Sequence, residues 1–340
     1  MPGYFWKKLV AAGVAAVALY VPAPSIAETI TLKLAHFAPD NEITYVDVLK
    51  PFAELVNKES AGQVKIELYP NGALGRSLPS QPQLVLDGVA DIAFTLPGAS
   101  PGRFPDNVVM ELPGLFRDLR EATLVWTKFA TTEKLRGYED FVILGAFGTA
   151  PTNIYSNKPV EALKDLKGLK IRTTNATEGA TLRELGMVPV LLSPTEIPEA
   201  IGRGTIDAIC IQVGALKEFG WDRVTRYDYL LGVVSSPTAV LMNRKKFESL
   251  PPQAKAVFKK YGPDWMARAF IKGYGEFSDA SAAQLKADSK RKTIIPSASD
   301  QETARHAYEE IVDQWLAKSP ANAATLKKVK ELIAEVRSSR

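Results

Sequence analysis

Apolar and polar residues alternate over residues 30–37 (ITLKLAHF), the period-two pattern of a half-buried strand. The loop Ala38-Pro39-Asp40-Asn41 closes it. Over residues 44–58 the period lengthens. Val48, Phe52, Leu55 and Val56 recur at helical spacing, and Pro51 falls inside the pattern as a candidate kink. Residues 64–69 read as a second strand ended by Pro70-Asn71-Gly72, residues 83–87 as a short helix and residues 92–96 as a buried strand. This strand–helix alternation predicts a mostly parallel sheet.

The same order restarts at Lys170. In GLKIRTTN (residues 168–175), Leu169 and Ile171 alternate with Lys170 and Arg172, after a turn at Asp165, Lys167 and Gly168. The spacing predicts a strand ending near Arg172 and a helix over 178–185, with Thr177 as its N-cap. A strand over 188–192, a helix over 196–203 and a strand over 206–212 follow. DGVADI at 87–92 and RGTIDA at 203–208 share a helix end, a glycine suited to the C′ position and an acid opening a buried strand. Two similar α/β lobes account for this. Residues 146–152 and 232–237, rich in Gly, Ser, Thr and Pro, join apolar strands and read as two crossings between the lobes, hence a hinge over a cleft.

The C-terminal third is helical in pattern. Residues 253–290 form one long amphipathic segment that Gly262-Pro263 should break or kink. After a brief strand at 293–295, Ser299-Asp300-Gln301-Glu302 fits a capping box. Ala304, Ala307, Tyr308, Ile311, Val312 and Trp315 then share one helical face, and a last helix covers 322–336.

With 340 residues the chain can bury more than one core. Residues 1–27 are set aside. Lys7 and Lys8, the apolar run 9–21 and Ser25-Ile26-Ala27 make a secretory signal peptide with cleavage expected after Ala27. Its apolar run is shorter than the ~20 residues a span needs, so no stable membrane insertion is expected after cleavage. Losing the two lysines lowers the net charge from +4 to about +2, a balance that gives no reason to expect a nucleic acid as partner. Cys210 is the single cysteine and lies inside an apolar run, a structural thiol. Export without disulfides suits the periplasm of a Gram-negative bacterium.

Gly98-Ala99-Ser100-Pro101-Gly102 matches a nucleophile elbow, but Pro101 lacks the backbone N–H that would serve the oxyanion. His306 lies on a helix with no other histidine near it in sequence. His36, His306 and Cys210 have no metal-ligand spacing, and neither a P-loop nor a G-x-G-x-x-G occurs. No catalytic residue, metal or cofactor is therefore expected. His36 reads as a structural histidine or as part of a cleft wall. Arg172 stands where a strand gives way to the loop before a helix, the usual ligand position in α/β folds. Its planar fork suits a carboxylate, although the strand pattern alone favours a surface arginine that solvates a strand end.

The motifs LKLAHF (32–37), YPNGALG (69–75), DGVADIAF (87–94), FP (104–105) with ELPGLF (111–116), DLKGLKIR (165–172), GTIDA (204–208) and LMNRKKFESLPP (241–252) carry a resemblance in their order and spacing. From about Leu32 to Trp315 the chain resembles the periplasmic solute-binding proteins of tripartite ATP-independent periplasmic (TRAP) transporters, dicarboxylate-binding-protein type. The resemblance implies an α/β, type II-like two-lobe binding-protein fold with mixed, mostly parallel sheets, a long bridging helix and a ligand cleft between the lobes. The expected division is 28–149 plus 237–276 in lobe I and 150–236 plus 277–340 in lobe II. It further implies capture of an organic acid, delivery to the small and large membrane subunits of a TRAP permease, no catalysis, and a salt bridge from Arg172 to the ligand carboxylate.

Departures from the family pattern refine this. Sialic-acid-binding members carry another arginine where this chain has Thr152, and polar cleft residues where it has Phe37, Leu96 and Ile211. With the adjoining His36 and Gln212 these are the candidate cleft residues. One arginine against mainly apolar walls leads us to expect a monocarboxylate with a hydrophobic or aromatic body. A binding protein of an ABC importer or sensor kinase shares the two-lobe physics without this motif order, and a secreted serine hydrolase would need Ser100 to react.

Overall fold

A computed structural model describes residues 28–192 and 196–339, so the signal-peptide reading lies outside the described residues. The chain opens with β1 (Ile30–Ala35), and a wide π-type turn over Tyr45–Leu49 leads into α1 (Lys50–Glu59). Pro51 falls inside one continuous helical run that begins at Ile43, directly after the π-type turn, so the expected kink appears as this change of winding. β2 (Val64–Tyr69), α2 (Gln81–Leu86) and β3 (Ile92–Thr95) follow, then 3-10 turns at Pro97–Ala99 and Pro105–Glu111. Next come α3 (Leu119–Thr132) and β4 (Phe141–Gly148).

The second half contains β5 (Asn153–Ser156), β6 (Lys170–Thr173), α4 (Ala176–Glu184), β7 (Val188–Leu191), α5 (Ile197–Gly202), β8 (Ala208–Ile211), α6 (Val213–Glu218) and β9 (Tyr227–Tyr229). β10 (Pro237–Asn243), α7 (Arg244–Ser249), α8 (Pro252–Lys260), α9 (Pro263–Ala287), β11 (Lys292–Ile294), α10 (Ala298–Ala317) and α11 (Pro320–Ser338) complete it.

Two sheets result, in the orders β2-β1-β3-β10-β4 and β11-β9-β5-β8-β6-β7. β1 pairs in parallel with β2 and β3, while β10 returns antiparallel between β3 and β4. In the second sheet β6 pairs in parallel with β7 and β8, and β5 runs antiparallel to β8 and β9. The sheets are thus mixed, each with one antiparallel strand arriving across the hinge. The crossings hydrogen-bond to each other: Thr149 N–H donates to Ser236 O (3.0 Å), Thr152 N–H to Val234 O (2.8 Å) and Val233 N–H to Thr152 O (2.8 Å).

Gly262-Pro263 does divide the long helical segment, because α8 ends at Lys260 and Pro263 starts α9 in its first turn. α9 then bridges the molecule. Met266, Phe270 and Tyr274 pack into the core of the first sheet and Leu285 into that of the second.

Three expectations need correction. The N-cap of α4 is Asn175, whose side chain accepts the Glu178 N–H, so the helix starts two residues before the expected Thr177 cap. The cap of α10 is Ser297, accepting from Asp300 N–H, in place of the capping box at Ser299. Finally, α11 buries Leu326, Val329, Leu332, Ile333 and Val336 against the α3 side of the first sheet. It therefore packs with lobe I, whereas residues 277–340 were expected in lobe II.

Candidate ligand site

Strand β6 carries Arg172 toward the second core while Ile171 points to the opposite face, the period-two consequence of a strand buried on both sides. Only 3% of Arg172 is exposed. Its Nε donates to Leu192 O (3.3 Å) and Nη1 to Thr174 Oγ1 (3.2 Å), and the guanidinium lies over the Trp221 ring, 5.6 Å from its centroid. Among the described residues, Nη2 has no hydrogen-bond partner and no carboxylate lies within 4.0 Å of the guanidinium nitrogens. Burial lowers its pKa from the ordinary arginine value, and the Glu178 charge partly offsets that.

The second deeply buried arginine side chain, Arg291, is treated otherwise. It pairs with Asp228 at 1% and 2% side-chain exposure and donates to the Asp222 and Thr225 carbonyls. A buried charge without a partner costs several kcal/mol (roughly 3–5 when one partner of a pair is removed), so Arg172 has an unfilled demand for an anion.

Two further acids complete the surroundings. Glu178 is fully buried; its Oε2 accepts from Thr173 Oγ1 (2.9 Å) and Thr174 N–H (2.6 Å) and so braces the loop beside Arg172. Glu111 ends a 3-10 turn of the first lobe at 2% exposure and faces Thr177 of α4 across the cleft. Neither acid is among the sequence-derived candidates, although a lone carboxylate in the apolar run VVMELP was a legible signal for Glu111.

Leu96 lines a small cavity with Glu111, Thr174 and Asn175, which places it beside the Arg172 loop. Phe37 heads an aromatic column that continues through Phe94, Phe147, Phe270 and Tyr274, with neighbouring centroids 4.8–6.5 Å apart. The column ends at Gln212, whose Nε2 donates to Tyr274 Oη (3.4 Å). His36 is 1% exposed, with Nε2 3.2 Å from Glu42 Oε2 and its ring stacked on Tyr45.

Thr152 belongs to the hinge, where its hydroxyl accepts from Val234 N–H (3.3 Å) and the Cys210 thiol (3.3 Å). Ile211 packs in the cluster that holds Trp221. The lobes also meet at Glu218 of α6, whose Oε1 accepts Ile43 N–H (2.8 Å).

Ser100 Oγ donates to Pro79 O (3.0 Å), while His306 stands on an exposed face of α10 between Glu302 and Glu309, so the two form no catalytic pair. Among the described residues no cluster of three or more His, Cys, Asp and Glu could hold a metal, and no helix is long and apolar enough to cross a membrane.

Residues 34–319 match DctP, the bacterial extracellular solute-binding protein family 7. The chain belongs to this family. A solute-binding protein of Verminephrobacter eiseniae is 29% identical over 211 residues, an alignment spanning 61% of this chain and 63% of that relative. A marine-metagenome TRAP solute-binding protein specific for aromatic acid ligands, crystallised with metahydroxyphenylacetate, is 26% identical with a TM-score of 0.82, over 90% of this chain and 99% of that one. A Rhodoferax ferrireducens TRAP solute-binding protein with copurified benzoate is 25% identical with a TM-score of 0.81, over 92% and 99%. The two structural neighbours are TRAP solute-binding proteins, and the family is one of extracellular solute-binding receptors, not enzymes.

Proposed function

We propose that this protein is a periplasmic receptor that captures a monocarboxylate with an aromatic or apolar body between its lobes and delivers it to a TRAP permease of small and large membrane subunits. The observation that carries the reading is the Arg172 guanidinium, 3% exposed and with no described carboxylate within 4.0 Å. A ligand carboxylate accepts two parallel hydrogen bonds from such a fork and supplies the missing charge. Trp221 under the guanidinium and Leu96 beside the Arg172 loop favour an aromatic body over a sugar acid, and the aromatic acids held by two structural neighbours support the same class. The lobes close only insofar as the ligand touches both.

Calorimetry with benzoate, aliphatic monocarboxylates and C4-dicarboxylates tests this. Arg172→Ala should weaken binding roughly thirty- to several-thousand-fold, the ~2–5 kcal/mol of a buried charge partner. Arg172→Lys should fail in large part, because a point charge cannot reproduce the fork. Binding by Arg172→Ala within threefold of wild type, or a dicarboxylate preferred more than tenfold over every monocarboxylate, would overturn the assignment.

A further inference from the structure

Glu111 is the buried acid that the capture mechanism leaves unused. From the first lobe Glu111 lines a small cavity that Thr174 and Asn175 of the second lobe also line. Oε1 is buried and has no hydrogen-bond partner among the described residues. The space for it is made by Gly98, where a Cβ atom would stand 1.8 Å from that oxygen; any side chain there would evict the carboxyl. Thr174 joins this cavity to the anchor, since its hydroxyl accepts the Arg172 Nη1 hydrogen bond.

We propose that Glu111 is a specificity-determining residue that hydrogen-bonds a hydroxyl group on the ligand body and excludes ligands with a second carboxylate. The inference rests on the monocarboxylate reading above and deepens it. Burial drives the Glu111 carboxyl up to about 8; the Thr177 hydroxyl opposes that rise and the Glu178 charge adds to it. At neutral pH the group is therefore a carboxylic acid, able to donate through O–H and accept through C=O, which matches a hydroxyl that does both. A second ligand carboxylate would instead be buried here beside a neutral acid and the Glu178 charge, with the Arg172 guanidinium taken by the first and no cation among the described residues that line this cavity.

The test compares benzoate, 3-hydroxybenzoate and the dianion isophthalate by calorimetry at pH 7 on wild type, Glu111→Gln and Glu111→Leu. Wild type should prefer 3-hydroxybenzoate over benzoate, and Glu111→Gln, which keeps a donor and an acceptor, should retain that preference. Glu111→Leu should lose it by about three- to tenfold, the share of one hydrogen bond, while still binding benzoate. Wild-type preference should also rise above pH 8, where an ionised Glu111 accepts a charge-assisted hydrogen bond from the ligand hydroxyl, and that of Glu111→Gln should not change. An unchanged preference ratio in Glu111→Leu, or isophthalate bound by wild type as tightly as benzoate, would overturn the proposal. If benzoate binding still depends on Arg172, that failure leaves the anchor intact. Should wild type bind none of the three acids, the Glu111 proposal falls, while an aliphatic monocarboxylate held through Arg172 would still uphold the anchor.

Discussion

Arg172 and Arg291 bring the same group into the same lobe with opposite energetics. Arg291 is satisfied by Asp228 and two backbone carbonyls, so Arg291→Ala leaves Asp228 buried and unpaired. Urea denaturation should show a loss of roughly 3–5 kcal/mol. Arg172→Ala removes a buried charge with no ion-pair partner within 4.0 Å among the described residues, so the ligand-free variant should be at least as stable as wild type in the same experiment. A loss as large as that of Arg291→Ala would mean that the protein itself, through Glu178, already neutralises Arg172. A lone arginine at a strand end was visible in the sequence. Its solitude was not, because the distance to every acid depends on how α4 folds back over β6.

Among the elements, β4 sets how closely the helices approach the first sheet. It carries an extra residue at Leu144, since Val240 pairs with Gly145 and Leu241 with Ile143, so Leu144 and Gly145 both face α9. A Cβ on Gly145 would lie 2.6 Å from Met266 Sδ of α9, and one on Gly148 would lie 2.6 Å from the Ala122 backbone of α3. Methionine can rotate aside, but a helix backbone cannot. Gly148→Ala should therefore cost ~1–3 kcal/mol by overpacking, read as a lower denaturation midpoint, and Gly145→Ala should cost less. Equal effects would show that α3 shifts as readily as a side chain. The element pattern of strands, crossings and the Gly262-Pro263 break was legible from periodicity. The caps of α4 and α10 were misplaced because Ser, Thr, Asn and Asp compete within a few residues and the winning side chain is the one the loop aims at the N3 amide.

At the scale of the whole molecule, carboxyls buried where the lobes meet make stability depend on pH. Glu218 is driven up to about 8 by burial and by the nearby Glu42 charge, with the Ile43 N–H bond opposing. Burial also works against the Glu42 charge, but hydrogen bonds from His36 and Thr44 outweigh it and hold that group below its ordinary value of 4.5. Between 4.5 and about 8 the folded protein binds protons at Glu218 and Glu111 that the unfolded chain releases. Stability from these two groups is thus fully present below 4.5 and declines as pH rises toward about 8. Thermal midpoints should fall between pH 6 and pH 8.5, and Glu218→Gln should flatten that fall. A midpoint rising over this interval in wild type and unchanged by the substitution would refute the linkage.

The sequence alone determined what repeats along the chain: the two passes of strand and helix, the paired crossings, the divided long helix and the arginine at the end of a half-buried strand. Each is written in local periodicity or turn chemistry, which the folded state inherits directly. Only the tertiary structure decided that α11 packs with the first sheet, that Glu111 faces the second lobe across a gap kept open by Gly98, and that Arg172 has no acid partner among the described residues where Arg291 has one. Those facts depend on contacts between residues far apart in the chain, where apolar burial and the desolvation of charge are settled together, and no local pattern encodes them.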